Sequence, residues 1–219
     1  MIPNTVTFKL PKLYPITDRR VSGLSHAEQV ARLIEGGATL IQLRDKESSS
    51  ADFLREAEAA LSVAQKNHVR LIINDRVDIA LALNAAGVHV GQSDLPSEIA
   101  RRLLGSESIV GVSTHNLEQV RMASRLPVDY VAFGPIFETG TKQDHEPVAG
   151  LDGLRSARGA LGDLPLVAIG GINKDNAAAA IEAGADSVAL ISALLSDPAK
   201  ISEKTQRMLA FLSNTPGIS

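Results

Sequence analysis

Two aspartates, Asp75 and Asp94, stand just past short aliphatic runs, the first after Leu71–Ile73 and Asn74, the second after Val88–Val90 and Gly91-Gln92-Ser93. Between the runs, Val77, Ala80, Leu81 and Leu83 fall at helical spacing, and Gly87 stands where a helix C-terminal stop is expected. The stretch reads as strand–helix–strand with a carboxylate beyond the carboxyl end of both strands. In neighbouring parallel strands those ends lie on one side of the sheet, so both carboxylates can face one cavity. Such a pair suits a hard cation such as Mg2+, which keeps several waters and binds substrate phosphates. Taken singly, Asp75 would serve equally as the cap of the following helix and Asp94 as a turn residue before Leu95-Pro96. The pair is what points to a metal.

Other apolar runs also end in polar side chains. One ends in Gln42, Leu43, Arg44, Asp45 and Lys46; another in Ser113-Thr114-His115; a third leads into a segment holding Thr139, Gly140, Thr141 and Lys142. The last two runs end in Gly170-Gly171 and in Ile191-Ser192. Three cations with two carboxylates and several hydroxyls fit a polyphosphate held through a metal: Arg offers a fork, Lys a point charge. A diphosphate so held is an activated leaving group, because stabilising the departing charge lowers the barrier to its loss. Gly170-Gly171, followed by Asn173 as the expected N-cap of the next helix, lets backbone amides approach a phosphate; a tight turn without ligand is the competing reading. Arg44 and Lys46 singly would also pass as solvated loop charges.

The five histidines form no HExxH or His/Cys cluster, which argues against zinc, and no GxSxG elbow is present. His89 reads as a half-buried strand residue, His26 and His68 as surface helix positions, and His115 and His145 as possible substrate contacts. The irregular segment Gly134–Gly150, rich in hydroxyls and charge, reads as a lid able to exclude water.

Strands alternate with helices along the whole chain. Strands are expected at Leu13–Thr17, Thr39–Leu43, Arg70–Ile73, Val88–Val90, Ile109–Val112, Tyr130–Phe133, Leu166–Ile169 and Ser187–Ile191. Helices are expected at His26–Glu35 (Ser25 and Glu28 making a capping box), Asp52–Lys66, Val77–Asn84, Ser97–Leu104 with a Ser cap, Leu117–Ser124, Leu151–Leu161, Lys174–Ala183 and Glu203–Leu212. Eight such units predict a single-domain α/β protein, a (β/α)8 TIM barrel spanning residues 1–219, with 1–12 and 213–219 as loose termini. An open doubly wound sheet is the alternative, since alternation does not by itself show closure. In a barrel, the polar residues just named would gather at the carboxyl ends of the strands.

Composition narrows the function. The chain has 219 residues, 44% apolar and 21% charged, an ordinary globular balance able to bury a sizeable core. With 3% aromatics and a net charge of −3 it offers neither a base-stacking surface nor a basic field, so nucleic-acid and membrane partners are not expected. Zero cysteines exclude disulfides and thiolate chemistry, and the start lacks a basic-then-apolar leader, so a cytoplasmic location is expected. The sequence leaves assembly as a homo-oligomer open.

The motifs Gln42-Leu43-Arg44-Asp45-Lys46, Ile73-Asn74-Asp75-Arg76-Val77-Asp78, Gly87–Asp94, Gly111–His115, Phe133–Phe137, Ala168–Ile172 and Ile191-Ser192 resemble the thiamine phosphate synthase family. That resemblance implies a transferase condensing 4-amino-2-methyl-5-hydroxymethylpyrimidine diphosphate with 4-methyl-5-(2-hydroxyethyl)thiazole phosphate, or its carboxylated form. Diphosphate would leave first, and the thiazole nitrogen would capture the pyrimidine-methyl cation. It implies pyrimidine diphosphate contacts from Gln42–Lys46, Asn74, Ser113 and Lys142, with Arg44, Lys46, Ser113 and Lys142 catalytic. Asp75 and Asp94 would hold Mg2+, while Thr139–Thr141, Gly171, Ile191 and Ser192 would bind the thiazole phosphate. Glu138-Thr139-Gly140-Thr141-Lys142 departs from the family's Pro-Thr at this place. A related thiazole tautomerase has no need of the carboxylate pair, and a phosphate-metabolite sensor would bind without turnover.

Overall fold

Aliphatic strand residues with alternating sides bury both faces of a parallel sheet, and here the sheet closes on itself. The computed structural model describes residues 9–139 and 147–215. Strand β1 (Leu13–Thr17) leads through a single helical turn, α1 (Arg19–Ser22), into α2 (His26–Glu35). Then come β2 (Leu40–Leu43), α3 (Ser50–Lys66), β3 (Arg70–Asn74), α4 (Val77–Ala82), β4 (Gly87–Val90) and α5 (Ser97–Leu104). The second half runs β5 (Ile109–Thr114), α6 (Leu117–Ala123), β6 (Tyr130–Phe133), α7 (Gly150–Leu161), β7 (Leu166–Ile169) and α8 (Ala177–Glu182). It ends with β8 (Ser187–Leu190), the short α9 (Ser192–Leu195) and α10 (Ile201–Ser213). All neighbouring strands are parallel and β8 returns to β1, with Leu13 opposite Val188, so the chain forms a closed eight-stranded barrel.

Alternation along each strand divides the core in two. One set, including Leu13, Ile41, Leu43, Ile73, Val90, Val112 and Phe133, packs against helix residues such as Val30, Leu33, Phe53 and Ala57. The other set, including Tyr14, Ile16, Leu40, Ile72, Tyr130, Ala132, Val167 and Ala189, fills the barrel interior. Burying each such aliphatic side chain contributes roughly 1.5–3 kcal/mol, which is why the outward-facing layer can hold the helices in register. The chain before β1 takes part: Leu10 joins the interior cluster, and Lys12 Nζ donates to the carbonyls of Leu212 and Thr215 at 3.0 and 2.6 Å.

Local starts and stops follow the capping chemistry, with clear departures at α5 and α8. The box at α2 forms, Ser25 Oγ accepting from Glu28 N–H and Glu28 accepting from Ser25 N–H. Helix α5, however, is entered from Pro96, and Ser97 is its first buried residue rather than its cap. Proline presets φ for that entry and leaves Ser97 free to turn inward. Helix α8 begins only at Ala177, because Asn173 and Asn176 build a turn: Asn176 Oδ1 accepts from Asn173 N–H at 2.8 Å and its Nδ2 donates to Gly171 O at 3.0 Å. Asn176, not Asn173, therefore ties the glycine loop down. Finally, His26 is fully buried, not on the surface.

Candidate active site

The strand tips carry the expected polar residues, and their order round the barrel decides which of them meet. Asn74 ends β3, pairing with His89 of β4, and the next residue, Asp75, takes φ of +63°. That left-handed turn is tolerated by Asp better than by most residues but still costs about 1 kcal/mol. It is fixed by Asp75 N–H donating to His89 O at 2.7 Å, and the side chain does not cap α4, whose cap is Arg76. Instead the Asp75 carboxyl lies within hydrogen-bonding reach of Asp94 and forms an ion pair with Lys46 Nζ. Burial, reinforced by Asp94, pushes the Asp75 carboxyl above its ordinary value against the pull of Lys46. Asp94 also accepts the Gly91 N–H at 2.7 Å, so its turn role and its place beside Asp75 coexist.

The donor set fits Mg2+. Two oxygen-only carboxylates in contact leave most of a coordination sphere to water and phosphate, as that ion prefers. No group of three or more His, Cys, Asp or Glu able to hold a metal occurs among the described residues. The arrangement does not suit a closed all-protein cage.

Beside the pair, β1 and β2 hold a cation. Arg44 Nη1 donates to Asp18 Oδ2 at 2.8 Å, and Asp18 sits at the tip of β1. Asp45 faces inward on its own loop, accepting from Ser48 Oγ and N–H, Glu47 N–H and, at 3.4 Å, from His26 Nε2. Burial alone would raise Asp45, but these hydrogen bonds outweigh it and bring its carboxyl to about 2. His26 is lowered chiefly by burial, Asp45 opposing, and its Nδ1 meets Thr17 Oγ1 at 2.8 Å. A cavity of about 330 Å³ lies here, lined by Asp18, Arg44, Asp45, Lys46 and Ser48 among others.

A second, larger cavity of about 1010 Å³ opens on the tips of β5 to β8. Ser113, Thr139, Gly171, Ile191 and Ser192 line it together. Gly171 needs φ of +65°, and a Cβ there would fall 2.4 Å from Glu138 O, so any side chain would close the approach between this loop and the 134–139 segment. That segment runs against β7, Ile136 N–H donating to Ile169 O and Phe137 N–H to Gly170 O. His115 Nδ1 lies 2.7 Å from Gly134 O and steadies its other side. Gly140, Thr141, Lys142 and His145 lie outside the described residues.

Below these, an inner chamber of about 30 Å³ is lined by Tyr14, Gln42, Arg44, Asn74, His89 and Ser113 with neighbouring aliphatics. Ser113 borders both spaces, so the chamber is the floor of the larger cavity. Leu43, an expected contact, faces elsewhere: it is fully buried between barrel and helices, as its alternation with Gln42 requires. The phenols that partner this floor, Tyr14 and Tyr130, carry no motif of their own. Tyr14 Oη lies 2.8 Å from Tyr130 Oη, Tyr130 Oη 3.0 Å from His89 Nδ1, and His89 Nε2 2.7 Å from Ser113 Oγ. Burial pushes both phenols above their ordinary value, so they keep their protons. Inward parity on β1, β4 and β6 was the available signal.

A family model described as thiamine monophosphate synthase matches residues 13–194. The thiamine-phosphate synthase of Clostridium novyi (strain NT) is 48% identical over 185 residues, covering 84% of this chain and 90% of its own. That of Persephonella marina is 43% identical over 203 residues, covering 92% and 96%. Among solved structures, thiamine phosphate pyrophosphorylase from Pyrococcus furiosus superposes with a TM-score of 0.84 at 34% identity, over 94% of this chain and 97% of that one.

Proposed function

Because the chain belongs to the thiamine monophosphate synthase family, we propose that it joins the pyrimidine-methyl group of a pyrimidine diphosphate to the nitrogen of a thiazole phosphate, releasing diphosphate. The contact between Asp75 and Asp94 under Lys46 is the observation that carries this reading. Two half-buried carboxylates side by side make an unfavourable pair that a bound cation would relieve. Asp75 and Asp94 would hold Mg2+, which when bound offsets the charge of the diphosphate.

The remaining roles belong to the chain's own side chains. Arg44, paired with Asp18, and Lys46 would donate to a departing diphosphate, with Asn74, Gln42 and Ser113 lining the floor below. Lys142 would add a further cation from the lid. Thiazole phosphate would rest on the glycine loop, with backbone amides at Gly171 and hydroxyls from Thr139 and Ser192, which line the cavity, and from Thr141, which lies outside the described residues. The larger cavity matches the size usual for small-molecule sites, and its apolar wall, Ile169 and Ile191, would keep water from a pyrimidine-methyl cation. A cytosolic setting accords with the lack of cysteine, and no helix among the described residues is long and apolar enough to cross a membrane.

The test supplies both half-substrates with Mg2+ and measures thiamine phosphate and diphosphate in equal amounts. A protein that converts only the thiazole phosphate, or binds both without turnover, would overturn the assignment in favour of an isomerase or a sensor.

A further inference from the structure

Five side chains, each from a different strand, form one hydrogen-bonded line across the barrel: Gln42, Tyr14, Tyr130, His89 and Ser113. The direction of its protons follows from one end, the orientation of the Gln42 amide. The Gln42 amide nitrogen, a donor, faces Tyr14 Oη at 3.2 Å, so the Tyr14 hydroxyl cannot donate in that direction. Tyr14 is buried, and its proton passes to Tyr130 Oη, 2.8 Å away. The Tyr130 proton is then directed to the acceptor at 3.0 Å, His89 Nδ1. An imidazole accepting at Nδ1 carries its proton on Nε2, and that proton goes to Ser113 Oγ at 2.7 Å. Ser113 has a single hydroxyl proton; since its oxygen is already accepting from His89, that proton is left for the cavity Ser113 lines.

We propose that Tyr130 is a positioning residue: by fixing His89 as the Nε2–H tautomer it turns the Ser113 hydroxyl into a donor aimed at the anionic substrate. The fold makes unusual room for this. Tyr130 reaches across the barrel over Gly111, its partner in register on β5, where a Cβ would lie 2.1 Å from the phenol carbon Cζ. Its ring stacks on His89, centroids 5.5 Å apart and 22° between planes, and meets Tyr14 edge-on at 85°. A phenylalanine at 130 would fill the same space, so only the hydroxyl explains why the two oxygens and the imidazole nitrogen line up. Were the line reversed, Ser113 would donate inward and present only a lone pair to a phosphate, which repels it.

The direction of the line is independent of the reaction, whereas its effect on rate rests on the synthase reading. Nitrogen-15 spectra of the protein labelled at histidine, with His89 assigned by a His89→Gln variant, report the tautomer directly. The expected result is a protonated Nε2 and a bare Nδ1 in the wild type, lost or mixed in Tyr130→Phe. Tyr130→Phe should also lower kcat on the order of tenfold, with KM for the pyrimidine diphosphate within about twofold. A wild-type His89 protonated at Nδ1 would overturn the proposal without any variant having to fold. So would a Tyr130→Phe protein with the wild-type tautomer and wild-type kcat. If the protein turns over neither substrate, the tautomer still decides the direction while the synthase reading fails alone.

Discussion

At Asp75 the chain combines a left-handed backbone, burial and a like-charged neighbour, and each of the three opposes folding. The sign follows from its raised carboxyl. The folded protein holds a proton on Asp75 at pH values where the unfolded chain, near the ordinary 3.8, has released it, so stability falls as pH rises through the raised value. Asp75→Asn should therefore melt no lower than wild type at neutral pH without metal. Mg2+ should raise the melting temperature of the wild type and not of the variant. At limiting Mg2+, Asp75→Asn and Asp94→Asn should each reduce turnover by at least about tenfold; wild-type rates in both would remove the metal from the account. This pair was legible because strand-tip position and parallel pairing fix where a carboxylate stands. The Tyr14–Tyr130 contact was not, since those residues lie 116 positions apart and meet only once the barrel closes.

Among elements, the loop after β2 shows how a site is held by chemistry that does not touch substrate. His26 at the start of α2 joins Thr17 on β1 to Asp45 on the loop, and its own N–H donates to Glu56 of α3 at 3.0 Å. Its position beside the Ser25 cap reads as exposed from helical spacing, which carries no record of what docks on a helix's first turn. The shifts give a pH signature. His26 is lowered by burial, so as pH falls below about 6.5 the unfolded chain takes up a proton that the folded protein refuses, and stability drops. The slope from this one group cannot exceed about 1.4 kcal/mol per pH unit. The contribution of Asp45 is present above 3.8 and disappears as pH falls towards about 2, a separate, more acidic step. Urea titrations at pH 7.5 and 5.5 should show a smaller loss in His26→Gln than in wild type; equal losses would place the titrating group elsewhere. Helix α8 teaches a similar lesson: its late start depends on the side chain of Asn176 reaching back to Gly171, a contact that periodicity does not encode.

For the whole molecule, closure is the decisive event, and it was legible only as a count of eight alternating units. The seam joins β1 to β8 through Leu13, Tyr14 and Pro15, and Lys12 just before it anchors the end of α10 through two carbonyls. The cation sits at the negative end of the helix, adding to a Leu212 carbonyl that also accepts from the Asn214 and Thr215 N–H groups. Lys12→Ala should cost about 1.5–3 kcal/mol, the range for hydrogen bonds to a charged group, read as a lowered urea midpoint with unchanged slope; a wild-type midpoint would show that the seam does not depend on it. The segregation of inward from outward residues along every strand has a consequence for how such a protein can change. Side chains one position apart, such as Gln42 and Leu43, answer to different demands, the lining of the inner chamber on one and cohesion on the other. New specificities can thus be sampled at residues of one parity while residues of the other keep the scaffold intact, so this architecture tolerates innovation that would unfold a protein whose chemistry and core share the same positions.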